Sequence, residues 1–193
     1  MKIKYHGHSC FSITSEDYTI VLDPYKNVNG FKDISLKANE VICSHMHGDH
    51  SYTDEIKYIN DVISPFIINK IPSYHDKELG QKRGLNDINI LMAEGKRIAH
   101  LGDLGHILED KDVEKLKGVD VLMIPVGGYF TIDFNEALEI IKKIEPKHII
   151  PMHYRDQNLN FEVLSDINEF LEVAKDYKDR MLLIRGYEEE IEI

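Results

Sequence analysis

His45-Met46-His47-Gly48-Asp49-His50 puts three imidazoles and a carboxylate into six consecutive positions. In extended chain His45 and His47 project to the same side, and Gly48 then permits a sharp bend that brings Asp49 and His50 round to a neighbouring point. One loop can therefore serve two adjacent metal positions. Imidazole with some carboxylate suits borderline-soft divalent ions, zinc above all, with manganese or iron as alternatives. A catalytic site of this kind needs about three protein ligands and an exchangeable water.

Folding must supply the remaining ligands, and strand ends are the rigid places to hold them. His75 follows an apolar run in Pro72-Ser73-Tyr74-His75-Asp76, Asp103 closes His100-Leu101-Gly102-Asp103, and His153 ends Ile149-Ile150-Pro151-Met152-His153. Each has an ordinary alternative, since an Asp after a strand is often a turn residue or helix cap and a single His is often a hydrogen-bonded core group. Asp23 is either a carboxylate that orients a ligand imidazole or an Asp-Pro turn residue. His8 and His106 are pocket or supporting candidates, or simply buried, hydrogen-bonded histidines, and His106 is the nearest substitute for His75. Arg83 and Asn86 either contact substrate or anchor a loop. His100 and His148 are assigned to structure, His6 is left undecided, and Gly127-Gly128 is expected to form a tight turn beside the site.

The elements around these residues change character along the chain. Residues 2–5, 10–14 and 18–22 are rich in β-branched and aromatic side chains and predict an antiparallel meander, followed by a buried strand at 40–44. Further strands are expected at 63–69, 88–93 and 97–101, the last two joined by a Gly95 hairpin. Strands at 119–125, 148–151 and 181–185 then alternate with two amphipathic helices. One carries Phe134, Ala137, Leu138, Ile141 and Ile144 at helical spacing, with Asp133 and Glu136 as a capping box; the other carries Val163, Leu164, Ile167, Phe170, Leu171 and Ala174. One-sided helices must bury their apolar faces against a sheet, which predicts an α/β protein of two mixed sheets with outer helices, layered αββα.

Composition narrows the functional classes. The 193 residues are 42% hydrophobic and carry a formal charge of -11, so nucleic acid and anionic membrane surfaces are poor partners. No stretch has the apolar length of a signal core or a membrane span, and the two cysteines, Cys10 and Cys43, suit buried thiols better than a disulfide. A cytoplasmic protein is expected, with one domain over 1–193 whose halves meet near residues 105 and 106. Ten histidines are its compositional anomaly.

Taken together, Gly7-His8-Ser9-Cys10-Phe11, Leu22-Asp23-Pro24, the 45–50 block, Tyr74-His75-Asp76, Arg83-Gly84, His100 to His106, Pro125-Val126-Gly127-Gly128 and Ile150 to Tyr154 occur in family order. The chain thus resembles the metallo-β-lactamase superfamily, in particular its small zinc-dependent hydrolase branch related to ascorbate-6-phosphate lactonase. The resemblance implies an αββα sandwich and two metals, one held by His45, His47 and His75 and the other by Asp49, His50 and His153, with Asp103 bridging. Residues 51–60 depart from the family pattern by lacking a glycine-rich helix start. There is also no room for an added substrate domain.

A pair of such ions lowers the pKa of water toward neutrality and supplies hydroxide, with Asp49 orienting it and handling the proton. The expected activity is hydrolysis of a small ester, lactone or phosphodiester. Thiol-ester or sulfur chemistry on the same scaffold, and metal sensing without turnover, are the competing functions. The sequence is silent on oligomeric state.

Overall fold

A computed structural model of the chain describes residues 1–59, 62–155, 162–184 and 189–193. The meander forms as expected from β1 (Lys2–Gly7), β2 (Cys10–Ser15) and β3 (Tyr18–Leu22). β4 (Leu36–Ala38) and β6 (Ile56–Tyr58) make a small parallel ladder, and β5 (Glu40–Ile42) lies between them in sequence. Then come β7 (Ile67–Tyr74), β8 (Leu85–Ala93), β9 (Lys96–His100), α1 (Asp110–Leu116), β10 (Val121–Pro125), α2 (Phe134–Ile144), β11 (His148–Met152), α3 (Ile167–Val173) and β12 (Glu190–Glu192). A 3-10 turn over Lys175–Arg180 follows α3.

Two five-stranded sheets result, ordered β12-β1-β2-β3-β5 and β11-β10-β9-β8-β7. The period-2 alternation of strand side chains decides how they stack. Ile20 and Leu22 of β3, with Val121 and Met123 of β10, fill the core between the sheets. Leu122 and Ile124 point the other way, against Val113, Leu116, Ala137, Ile140, Ile141, Ile144 and Phe170 of α1, α2 and α3. Each fully buried aliphatic side chain there contributes about 1.5–3 kcal/mol. The opposite outer face is built differently. Val21 and Cys10 are covered by Tyr25, Ile34, Ala38 and Ile56, which come from a loop and the β4-β6 ladder rather than a helix.

The helix starts follow local chemistry. Asp133 accepts from the N–H groups of Asn135 and Glu136 while Glu136 accepts from the Asp133 N–H, which closes the expected capping box. A second box, Asp166 with Glu169, starts α3 at Ile167, later than the apolar stripe from Val163 suggests. Val163 is exposed although Leu164 is buried. The strand expected from residue 63 begins at Ile67, with Ile63 93% exposed. Pro65 stands between the two; it lacks the N–H that a strand there would need. At 181–185 the expected strand is reduced to a parallel bridge between Met181 and Ile149, and residue 185 lies outside the described residues. Both cysteines are free thiols, Cys10 buried and Cys43 partly so.

Strand direction gathers the site. β9, β10 and β11 are mutually parallel, β7 is antiparallel to β8 and β8 to β9, and in the first sheet β3 parallels β5 while β1 and β3 flank β2 antiparallel. The carboxyl ends of β1, β3, β5, β7, β9 and β11 therefore share one edge. His8, Asp23, His45 to His50, His75, Asp103 and His153 all follow those ends.

Candidate metal centre

Two histidine groups meet at this edge. His45, His47 and His75 offer ring nitrogens that all lie within 4.8 Å of one another, and so do His8, His50 and His153. The groups touch through His45 and His50, whose ring centroids are 4.3 Å apart. Asp103 stands between them. Its Oδ2 is 3.2 Å from His50 Nε2, 3.2 Å from His75 Nε2 and 3.4 Å from His153 Nε2. Asp49 approaches from the solvent side, its Oδ2 3.5 Å from His8 Nε2 and 3.9 Å from His50 Nε2.

Hydrogen bonds behind the rings decide which nitrogen faces the centre. The His50 Nδ1–H donates to Asp23 Oδ2 at 2.9 Å, and the His75 Nδ1–H donates to the Phe130 carbonyl at 3.1 Å. Ser44 Oγ spends its proton on Asp23 Oδ2, so it accepts from the His45 Nδ1–H at 2.9 Å. Asp23 thereby sets two imidazoles, one directly and one through Ser44, and turns each Nε2 toward the centre, where His50 Nε2 lies 3.0 Å from His8 Nε2. The carboxylate also accepts from the Ser44 N–H, which ties the metal-type loop to the end of β3.

Backbone contacts are as tight as the side-chain ones. At Gly102, φ +55°, a Cβ would stand 2.4 Å from both Asn86 Oδ1 and Ser44 Cβ. At Gly127 it would stand 2.1 Å from the His153 carbonyl oxygen. The Gly127-Gly128 turn thus lies against the site, as expected. His8, Asp23 and His153 all hold left-handed backbone, with φ of 55°, 43° and 52°, a costly conformation for side chains of this kind.

Burial lowers the His45 pKa to about 3, reinforced by His50, and burial also lowers His153 to about 4. Both rings are therefore neutral and available as ligands near neutral pH. For His50, burial is outweighed by the Asp103 and Asp23 carboxylates, and its pKa rises well above the ordinary value. Asp103 shows the converse: burial is overcome by His153, His50 and His75, and its pKa falls well below the usual carboxylate range. Whether this donor set fits a cation is tested by its orphans. His45 Nε2 and Asp103 Oδ1 are buried without a hydrogen-bond partner among the described residues, and each such atom costs about 1–3 kcal/mol. With His8 Nδ1 and His153 Nδ1 also lacking partners among the described residues, this meeting point of six imidazoles and a carboxylate fits divalent cations.

A profile of the β-lactamase superfamily domain matches residues 2–153. A protein of the group called UPF0173 from Pyrococcus abyssi is 32% identical over 180 residues, covering 80% of this chain and 83% of its own. The chain belongs to the metallo-β-lactamase superfamily. A UPF0173 metal-dependent hydrolase from Desulforamulus reducens is 28% identical over 193 residues, covering 80% of this chain and 84% of its own. A crystal structure from Thermotoga maritima, described as a candidate zinc-dependent hydrolase of the superfamily, is 34% identical with a TM-score of 0.72 over 89% of this chain and 84% of that one. An isothiocyanate hydrolase from Delia radicum gut bacteria, at 15% identity and TM-score 0.74 over 100% of this chain and 99% of that one, speaks for the fold alone.

Within this metallo-β-lactamase fold the remaining candidates separate. His106 does not stand in for His75: its Nε2 accepts from the Tyr74 N–H and its Nδ1–H donates to the Ile107 carbonyl, so it holds the backbone that presents His75. Asn86 is buried and anchors the backbone here, since its Oδ1 accepts from the Asp103 N–H and its amide donates to Ser73 and the Leu101 carbonyl. His100 bonds the Ser9 carbonyl and the Gly102 N–H within the core, as expected for a structural residue. His6 faces Ser12. Arg83 leaves the cluster and lies over the Phe130 ring, 5.5 Å from its centroid. Sequence reasoning passed over Ser44 and Phe130. The Ser directly before His45 was a readable signal, whereas a carbonyl acceptor 55 residues from His75 has none.

Proposed function

We propose that this protein is a metal-dependent hydrolase of a small ester, lactone or phosphodiester. The observation that carries the reading is the position of Asp103 between two histidine groups, with its Oδ1 and His45 Nε2 buried and unpartnered. His45, His47 and His75 would hold one cation, and Asp49, His50 and His153 the other, with Asp103 shared. Zinc suits the donors best, with manganese or iron acceptable. Cations there would supply Lewis acidity and lower the pKa of water toward neutrality.

The chain's own groups do the rest. Asp23 and Ser44 keep Nε2 of His50 and His45 aimed inward, and Phe130 does the same for His75. Asp49 is half-exposed, and its pKa is lowered because His8 and His50 outweigh its burial. It is therefore ionised at neutral pH, and its Oδ2 can take a proton from an attacking water and return it to a leaving group. No serine or cysteine nucleophile is required.

The test is metal analysis of purified protein followed by turnover of chromogenic esters, lactones and phosphodiesters with and without chelator. Bound metal and chelator-sensitive turnover, lost in Asp49→Ala and His50→Ala, are expected. Full turnover retained in both variants would remove the proposed chemistry.

A further inference from the structure

We propose that the cavity beside the histidine cluster is a binding site for a small organic anion, selected by Arg83; this rests on the hydrolase reading and names its substrate class. The cavity has a volume of about 250 Å³, and Arg83, Tyr129, Phe130 and Thr131 are among its walls. That is room for a small molecule rather than a polymer. Phe130 joins it to the metal-type cluster, because its carbonyl accepts from His75 and its ring packs edge-on to His153 at 6.4 Å.

Four carboxylates and three cations line the cavity, and each carboxylate is already engaged within the protein. Asp76 accepts four backbone N–H groups, from Glu78, Gly80, Lys82 and Arg83. Asp133 caps α2. Glu136 is paired with Lys77 at 2.5 Å and accepts from the Asp133 N–H, and Glu78 is paired with Lys82. Arg83 is the exception: among the described residues no carboxylate pairs with its guanidinium, which rests on the Phe130 ring instead. Arg97 and Arg180 also lack a carboxylate partner but donate to backbone carbonyls, whereas among the described residues the half-buried Arg83 guanidinium has no such hydrogen bond.

The physical match is direct. A guanidinium steadied by an aromatic face presents a planar fork of donors that suits carboxylate, phosphate or sulfonate. Tyr129 and Phe130 give an apolar surface for the body of the same molecule. An ester or lactone bearing an anionic substituent would be anchored at Arg83, and Phe130, which contacts both His75 and His153, links this cavity to the candidate metal centre.

The experiment uses the metal-loaded full chain and two matched esters, p-nitrophenyl acetate and mono-p-nitrophenyl glutarate, which differ in a carboxylate. Wild type is expected to prefer the glutarate, and Arg83→Ala to cut the glutarate-to-acetate ratio of kcat/KM by about tenfold or more, chiefly through KM, with part restored in Arg83→Lys. Benzenesulfonate, a poor metal ligand, supplies a readout without turnover: calorimetric titration should show binding that weakens about tenfold in Arg83→Ala. An unchanged ester ratio, or benzenesulfonate binding that is absent from wild type or equal in the variant, overturns the anion site. If metal-loaded wild type hydrolyses neither ester, the hydrolase reading is decided by the wider panel of lactones and phosphodiesters, and the benzenesulfonate titration by itself decides the anion site.

Discussion

The two histidine groups have the same number of rings but are made in different ways. His45 and His47 come from one hexapeptide, and His47 is exposed. His8, His50 and His153 come from three separate segments and are all buried. Two of these, His8 and His153, sit in left-handed backbone and are joined by a His153 N–H to His8 carbonyl bond of 3.1 Å. Local spacing places two rings of the first group, and folding adds the buried His75. The second exists only because the surrounding packing holds strained residues in place, and strain of that kind concentrates at functional sites. Loss of the exposed His47 ring should therefore be tolerated by the fold, and loss of a ring of the second group should not.

The largest effect should come where the groups share a residue. Asp103→Ala is expected to strip metal from both and to lower turnover by about a thousandfold or more, read by elemental analysis and kinetics on the same sample. Metal retained in either group would mean that Asp103 is not shared.

The contrast itself is sharpened by single rings. His50→Ala leaves the buried Asp23 carboxylate without its imidazole partner and should cost about 3 kcal/mol in chemical denaturation of the metal-free protein. His47→Ala, at an exposed position, should stay within about 0.5 kcal/mol while still losing metal. Equal destabilisation by the two would erase the distinction.

A smaller effect separates the supports behind the rings. Asp23→Asn should weaken metal binding in both groups by about 10–100-fold, because Asp23 orients His50 directly and His45 through Ser44. Ser44→Ala should weaken His45's group alone, by about tenfold. Competition with a chromogenic chelator measures both.

The smallest expected effect lies outside either group. Asp120 accepts from Lys147 Nζ at 2.7 Å and from the Arg97 N–H at 2.8 Å, and these contacts outweigh its burial and lower its pKa. The unfolded chain, with a carboxyl pKa of about 3.9, then binds the proton more readily than the native state. The stabilisation is present above that pH and lost as pH falls through the folded pKa. Asp120→Asn should remove about 1 kcal/mol at neutral pH, flatten the acid limb of the stability profile, and leave metal binding alone. A change in metal affinity would mean that the strand bases are coupled to the site.

Much of this was legible from residues alone. The 45–50 block announced its chemistry, the Asp133-Glu136 box started α2, and the Glu94-Gly95 pair closed the β8-β9 hairpin with both residues at positive φ. Such features are local, and neighbours within a few positions decide them. The second capping box, at Asp166, was equally local and shows that an apolar stripe is a poorer marker of a helix start than its cap. The short ladder β4-β6, by contrast, has three-residue strands with no readable alternation.

Sequence by itself determined the donors, their order along the chain and the strand ends that carry them. Tertiary structure alone decided that His8 joins His50 and His153, that Asn86 serves the Asp103 backbone while Arg83 lies over the Phe130 ring, and that a loop and the β4-β6 ladder cover Val21 and Cys10 on the first sheet's outer face. The reason is physical. Spacing in the chain fixes which side of a strand or loop a residue occupies, but tautomer, charge pairing and burial depend on partners tens of residues away, which are brought near only when the two sheets pack.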